Sequence, residues 1–204
     1  MATSGKMIEV IAAALSLPKA RVTSYYSALR KAGLISTTGR GKSAHDLTSI
    51  DVARILISML CSDSIDEVDT LTNIFKDLSF NGDQFDEYSD SQPTLEEAIA
   101  YIINAYTNHY KERTSNGEFI FEIAPSSQIT LETINDKISS EITIDNKCYH
   151  FYYYATEDST LIHPNNWDKV SKYEKFLARK QLVGMSTKRS VTHFSLKYIA
   201  KNMP

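Results

Sequence analysis

Two short segments of the chain hold residue types that take part in enzyme chemistry. Cys148 and His150 alternate, so on a β-strand they would share one face, but two ligands do not make a zinc site and no Cys-x-x-Cys pair accompanies them. Residues 41–43 resemble the end of a phosphate-binding P-loop, but Ser36 stands where that loop needs a glycine. Because no nucleophile, acid–base pair or metal set has persuasive spacing, the sequence predicts a protein that is not an enzyme and holds no metal or cofactor.

Charge is distributed unevenly along the chain, although the formal net charge is only -3. Residues 1–62 hold eight Lys and Arg against three Asp and Glu, which leaves +5. Residues 63–97 hold one Lys and eleven acids, which leaves -10, and residues 98–204 sum to +2. A basic first segment suits a polyanionic partner, whereas the acidic segment would repel one.

The spacing of apolar residues predicts three helices in residues 1–62. The first helix is predicted from Met7, Ile8, Ile11, Ala12 and Leu15. Pro18 suits the first turn of a second helix, which Gly33 can end in a left-handed conformation. The buried side of this second helix is predicted from Val22, Tyr26 and Leu29. A Gly-rich stretch between residues 34 and 47 indicates a β-hairpin, and Thr48–Asp51 forms a capping box that opens the third helix.

The first two helices have the spacing of a helix-turn-helix, in which two helices cross steeply around a tight turn. Ala12 is a small residue where the helices would cross, and Val22 is a β-branched anchor early in the second helix. With the exit Gly33-Leu34-Ile35 and the Gly-rich hairpin, residues 5–62 resemble the winged helix-turn-helix DNA-binding domains of bacterial and prophage regulators. The chain departs from that family in having Ser16 where a glycine is common, and in having no full helix before Lys6.

The resemblance implies that the second helix enters the major groove of duplex DNA and that the hairpin is a wing. The N-terminal half of that helix would then contact base edges, while cations at its end and on the wing would contact phosphates. The residues predicted to bind DNA are Lys19, Arg21, Thr23, Ser24, Tyr25, Ser27, Arg30, Arg40 and Lys42.

The predicted fold class is α+β, with three segments. Residues 1–62 form the winged helix-turn-helix, and residues 63–93 an acidic helical connector and loop. Residues 94–204 form a domain with a small antiparallel sheet and helices, which is expected to serve dimerisation, effector sensing or partner binding. The elements predicted beyond residue 62 are helices at 65–78, from the capping box at 94–97 onward, at 167–182 and at 191–202, and strands at 118–124, 128–134, 141–144 and 147–155. The aromatic run at 149–154 fits core packing, a subunit interface or a small-ligand pocket.

The leading functional prediction is a sequence-specific, double-stranded DNA-binding transcriptional regulator of a bacterium or prophage. It is expected to be a homodimer, because paired half-sites match a twofold protein axis. One alternative is a phage DNA-processing, packaging or replication accessory factor that recruits a protein partner through residues 94–204. Another is a protein-interaction module that uses the acidic segment. No run of about 18 apolar residues is present, and the two cysteines suit a reducing compartment, so a cytoplasmic protein with no membrane partner is expected.

Overall fold

A computed structural model describes residues 4–36, 46–80, 93–116, 127–134, 137–144, 147–152 and 187–203. In these residues the fold is a mixture of helices and one antiparallel sheet, which confirms the α+β class. The predicted wing tip with Arg40 and Lys42, residues 81–92 of the predicted loop, the predicted strand at 118–124 and the predicted helix at 167–182 lie outside the described residues.

The helices of the first half are α1 (Ser4–Ala14), α2 (Lys19–Lys31), α3 (Ser49–Cys61) and α4 (Val68–Lys76), and a 3-10 turn at Ile65–Glu67 precedes α4. The later elements are β1 (Ser79–Phe80), α5 (Leu95–Asn116), β2 (Ser127–Ile134), β3 (Lys137–Ile144), β4 (Lys147–Tyr152), β5 (Thr187–Val191) and α6 (His193–Lys201). The predicted final helix therefore begins at His193, and β5 precedes it as a strand that the largely polar sequence of residues 187–190 did not indicate. No helix among the described residues is long and apolar enough to cross a membrane.

Helices α1 and α2 end in the same way, with one residue in the left-handed region. Ser16 has φ 53° and Gly33 has φ 73°, as the sequence predicted for Gly33. The next residue in each case donates a backbone hydrogen bond five residues back, from Leu17 to Ala12 and from Leu34 to Leu29, both at 2.9 Å. These are Schellman motifs, which satisfy carbonyls at the end of a helix and turn the chain sharply.

Helix α3 lies at the centre of the fold. Its predicted capping box is confirmed, since the Asp51 amide donates to Thr48 Oγ1 at 3.1 Å and the Thr48 amide donates to Asp51 Oδ2 at 3.0 Å. Five apolar residues that recur at helical spacing along α3 are buried: Val52, Ile55, Leu56, Met59 and Leu60. Ile57 and Ala53 are buried as well, because α3 packs against α2, α4, α5 and the sheet. A single core therefore includes residues from all three predicted segments.

The sheet has the strand order β1-β4-β3-β2-β5, and every pair is antiparallel. Ile129, Ile142 and Tyr149 are register partners on three neighbouring strands, and all three side chains are buried. The Tyr149 ring lies 6.0 Å from the ring of Phe80, so this member of the aromatic run packs in the core. Strand β1 belongs to the predicted connector, which is thereby joined to the edge of the sheet.

Candidate nucleic-acid interface

One side of α2 is buried and the other is exposed. Val22, Tyr25 and Leu29 form the buried stripe at spacings of three and four residues. The exposed residues are Lys19, Ala20, Arg21, Thr23, Ser24, Ser27, Arg30 and Lys31. The outward surface of α2 is thus composed of short side chains along its middle, with cations near both ends.

Tyr25 does not belong to this exposed surface. Its residue is only 1% exposed, and its hydroxyl donates a hydrogen bond of 2.9 Å to the backbone carbonyl of Ser62. The prediction that Tyr26 lies on the buried side is also wrong in part, because Tyr26 is half-buried and Tyr25 holds the core position. Both errors have one cause. Tyr25 lies three residues after Val22 and Tyr26 lies four residues after it, and either spacing places a residue on the same helix face as Val22. Burial removes Tyr25 from the DNA-binding candidates.

The two cations in the first turn of α2 are each paired with an acid of a different element. Lys19 Nζ lies 2.5 Å from Glu9 Oε1 on α1, and this ion pair lowers the pKa of Glu9. Arg21 Nη2 lies 3.8 Å from Asp63 Oδ1, just beyond the end of α3. The guanidinium of Arg21 also lies 5.8 Å from the centre of the Tyr25 ring. The two acids therefore orient Lys19 and Arg21 on either side of the exposed surface.

The hydroxyl groups in the middle of α2 are oriented by their own helix. Thr23 Oγ1 donates to the Lys19 carbonyl at 2.9 Å, and Ser24 Oγ donates to the Ala20 carbonyl at 3.0 Å. Because the proton of each hydroxyl is engaged, the oxygen presents its lone pairs outward as a hydrogen-bond acceptor. Amino groups on the base edges of adenine and cytosine are donors that fit such an acceptor.

Arg189 on β5 is a residue that sequence reasoning missed. It donates to the Leu60 carbonyl at 3.3 Å and to the Ser62 carbonyl at 3.1 Å, and it pairs with the carboxylate of Asp63. The Ser62 carbonyl thus accepts hydrogen bonds from both Tyr25 and Arg189. A lone arginine in a polar strand carries no local signal for this role, which is to fix Asp63 beside Arg21.

Of the residues considered for enzyme chemistry, Cys148 and His150 lie on β4, and residues 41–43 lie outside the described residues. On the polar face of the sheet, His150 Nδ1 lies 3.8 Å from Glu141 Oε2, and Cys148 is exposed two residues before His150. Burial raises the pKa of the Cys61 thiol to about 12. Within the described ranges, no group of three His, Cys, Asp or Glu side chains is arranged to hold a metal ion.

No protein-family model, no curated protein and no solved structure matches the chain. A function is therefore argued from this geometry.

Proposed function

We propose that the chain is a sequence-specific, double-stranded DNA-binding transcriptional regulator in which α2 enters the major groove. The observation that carries this proposal is the shape of residues 4–31. Two helices are joined by the four residues 15–18, and the second helix has an exposed polar surface with cations near both ends. The major groove admits one helix, and a helix-turn-helix uses a connection of this length.

The roles of the exposed residues follow from their reach. Thr23, Ser24 and Ser27 have short side chains on the outward surface of α2, so they approach base edges only if the helix lies deep in the groove. Arg30 at the other end of the helix would contact a phosphate, and Arg40 and Lys42 of the predicted wing would add phosphate contacts. These interactions would supply affinity that falls as salt rises.

DNA would compete with the two acids that flank α2. Exposed ion pairs such as Lys19–Glu9 contribute little in water, because solvent screens the two charges. A phosphate of the duplex can displace acids that are bound this weakly, and Lys19 and Arg21 would then join the phosphate contacts. The ion pairs of the free chain are therefore compatible with an interface on this surface.

The test is binding of the full chain to random-sequence duplex DNA, followed by fluorescence anisotropy across a salt series. Affinity should fall steeply as salt rises, and Arg30→Ala should weaken binding and reduce the slope of log K against log salt by about 1. Lys201→Ala is the matched control, because it removes an exposed cation from α6 and should leave the slope unchanged. Binding that ignores salt, or that the two variants weaken equally, would contradict the proposal.

Sequence specificity needs a second measurement. After selection of a preferred duplex from a random pool, Ser24→Ala should reduce the preference for that sequence, while binding to unrelated duplex changes little. A regulator that binds paired half-sites needs two copies of the chain. The homodimer is therefore part of this proposal. An unchanged preference after substitution of Thr23, Ser24 and Ser27 together would exclude direct reading by α2.

The alternative of a protein-interaction module without a DNA role must be tested with point variants. Residues 1–62 contribute α3 to the shared core, so their deletion would unfold the rest of the chain. The accessory-factor alternative uses the same α2 surface and is distinguished by stable association with a DNA-processing enzyme. Removal of the charged side chains on α2 tests DNA binding under either alternative. Because these side chains are exposed, their removal should leave the fold intact.

A further inference from the structure

Three large apolar side chains are exposed in the described part of the chain. They are Ile65, Phe194 and Tyr198, which are 43%, 73% and 48% exposed. Exposed apolar residues of this size mark contact surfaces when they are grouped rather than scattered. Here Phe194 and Tyr198 lie together on α6, and Ile65 lies apart from them. The charged residues of the two segments have opposite signs.

The first group is on α6. Phe194, Tyr198 and Lys201 follow one another at four and three residues, so they form a stripe on the side opposite the buried Leu196 and Ile199. The ring of His193 lies 3.9 Å from the ring of Phe194 and helps to orient it. Residues 187–204 contain four Lys and Arg and no acid. We call Phe194, Lys197, Tyr198 and Lys201 the α6 patch.

The second group is at the 3-10 turn before α4. Ile65 is followed by Asp66, Glu67 and Asp69, and residues 63–69 contain no Lys or Arg. Asp66 and Asp69 are exposed, and Glu67 is half-buried. We call Ile65, Asp66, Glu67 and Asp69 the acidic patch. It resembles the α6 patch in having an apolar centre, but its charge is negative.

The two patches belong to elements that pack against different helices. Helix α6 packs between α1 and α5, where Ser195 Oγ donates to the Ala14 carbonyl at 2.8 Å and Lys197 Nζ lies 5.7 Å from the Tyr106 ring. The 3-10 turn packs against α2 and α4. Both patches are exposed in the single chain, so neither covers the other within one molecule.

We propose that the α6 patch of one molecule binds the acidic patch of a second copy of this chain. Pairing of two α6 patches would bring four lysines together, and pairing of two acidic patches would bring six carboxylates together, so like-with-like contacts are disfavoured. The opposite pairing joins apolar centres and complementary charges. When a dimer is held by one such contact, one patch stays available at each end and further copies add head to tail. This inference does not depend on DNA binding.

The association should be weak, because only three exposed apolar side chains contribute. We expect a dissociation constant on the order of 100 µM at low salt, weakening as salt rises. Sedimentation velocity of the full chain over a concentration series from about 10 to 500 µM covers this range. A single monomeric species throughout, at low salt, would overturn the proposal.

Two variants distinguish the head-to-tail arrangement from a twofold one. Phe194→Ser with Lys201→Glu removes the α6 patch, and Ile65→Ser with Asp66→Lys removes the acidic patch. Each variant alone should be monomeric. Their equimolar mixture should form a dimer and nothing larger, because each molecule then keeps one intact patch of opposite kind. Lys31→Glu, an exposed charge reversal outside both patches, is the control that should associate like the wild type.

Other outcomes are equally decisive. If the variant without the acidic patch still dimerises by itself, the contact is between two α6 patches and the proposal is wrong. If the mixture stays monomeric, the two patches do not bind each other. Should either double variant unfold by circular dichroism, Lys201→Ala and Asp66→Asn replace them, and each should weaken association of the full chain about threefold at low salt. DNA binding is measured separately by anisotropy at nanomolar protein, where the chain does not self-associate. Failure of the DNA-binding proposal is thereby distinguished from failure of the self-association proposal.

Discussion

The guanidinium of Arg54 on α3 binds the carboxylate of Glu96 on α5 through two hydrogen bonds. Arg54 Nε lies 2.6 Å from Glu96 Oε2, and Nη2 lies 3.2 Å from Oε1. The remaining terminal nitrogen, Nη1, donates to the Leu34 carbonyl at 2.8 Å. One side chain thus connects the central helix to the first turn of α5 and to the chain as it leaves α2. Glu96 raises the pKa of Arg54, which stays charged under all ordinary conditions.

Removal of either partner of this pair should destabilise the fold. The side chains of Arg54 and Glu96 are only 24% and 13% exposed, so the remaining partner would be left largely desolvated. We expect Arg54→Ala and Glu96→Ala each to lower the free energy of unfolding by about 2 kcal/mol, with a coupling of more than about 1 kcal/mol in a double-mutant cycle by urea denaturation. The exposed pair of Lys19 and Glu9 is the control, and its coupling should be much smaller than that of Arg54 and Glu96. Strict additivity at Arg54 and Glu96 would contradict this role.

Tyr25→Phe should affect stability and leave DNA binding unchanged. The substitution keeps the buried ring and removes the hydrogen bond to the Ser62 carbonyl, which retains Arg189 as a donor. The free energy of unfolding should therefore fall by about 1 kcal/mol. Affinity for random duplex DNA, measured under conditions where both proteins are folded, should stay within twofold of wild type. A large loss of DNA affinity with unchanged stability would show that Tyr25 takes part in DNA binding.

Ser16→Gly should stabilise the chain, and Gly33→Ala should destabilise it. Both residues have positive φ, which costs a residue with a Cβ about 1 kcal/mol relative to glycine. A Cβ added at Gly33 would meet no atom within 4 Å, so the cost there is conformational rather than steric. We expect changes of about 0.5–1 kcal/mol in opposite directions, read from chemical denaturation. Ala13→Gly, at an exposed position inside α1, is the control and should destabilise.

Asp63→Asn should strengthen DNA binding if α2 is the recognition helix. The change removes a negative charge beside α2 and releases Arg21 from its ion pair. Affinity for duplex DNA at low salt should rise by a factor of about 3–10, and the slope of log K against log salt should steepen by up to about 1. Stability should fall modestly, because Arg189 loses its carboxylate partner. Asp69→Asn is a matched control farther along the chain. If both variants raise the affinity for DNA equally, Asp63 has no specific effect on α2.

The two cysteines should differ in reactivity and in their effect on alkaline stability. Cys148 is exposed, whereas burial raises the pKa of the Cys61 thiol to about 12. A thiol reagent at pH 8 should label one cysteine in the native chain and two in denaturant. In the unfolded chain the Cys61 thiol loses its proton near pH 8.5, whereas in the native chain it keeps the proton up to about pH 12. The stability that the buried, protonated thiol contributes is therefore complete below pH 8.5 and is lost as the pH rises toward 12. The free energy of unfolding should fall over this window, and less steeply in Cys61→Ala.

Local sequence patterns predicted many of the elements. The two capping boxes at 48–51 and 94–97 both form, and Gly33 adopts the left-handed conformation expected of it. The apolar residues of α3 and α4 that recur at helical spacing are buried. The exception within α2 is instructive, since Tyr25 and Tyr26 are adjacent and both fit a helical face. The choice between them depends on which neighbour α2 meets, and that neighbour is the end of α3.

By itself, the sequence determined where α3 and α5 begin, where α2 ends and which residues of α3 face the core, because caps and helical periodicity involve residues within a few positions of one another. The tertiary structure alone decided the contacts between distant residues. Arg189 meets Asp63 across 126 positions, Tyr25 meets Ser62 across 37, and β1 joins the sheet edge beside β4. The charge asymmetry of the chain was visible in the sequence, but its consequence for α2 was not. Ion pairing and hydrogen bonding act only at short range in space, so the packing of the elements around α3 decides which partners meet.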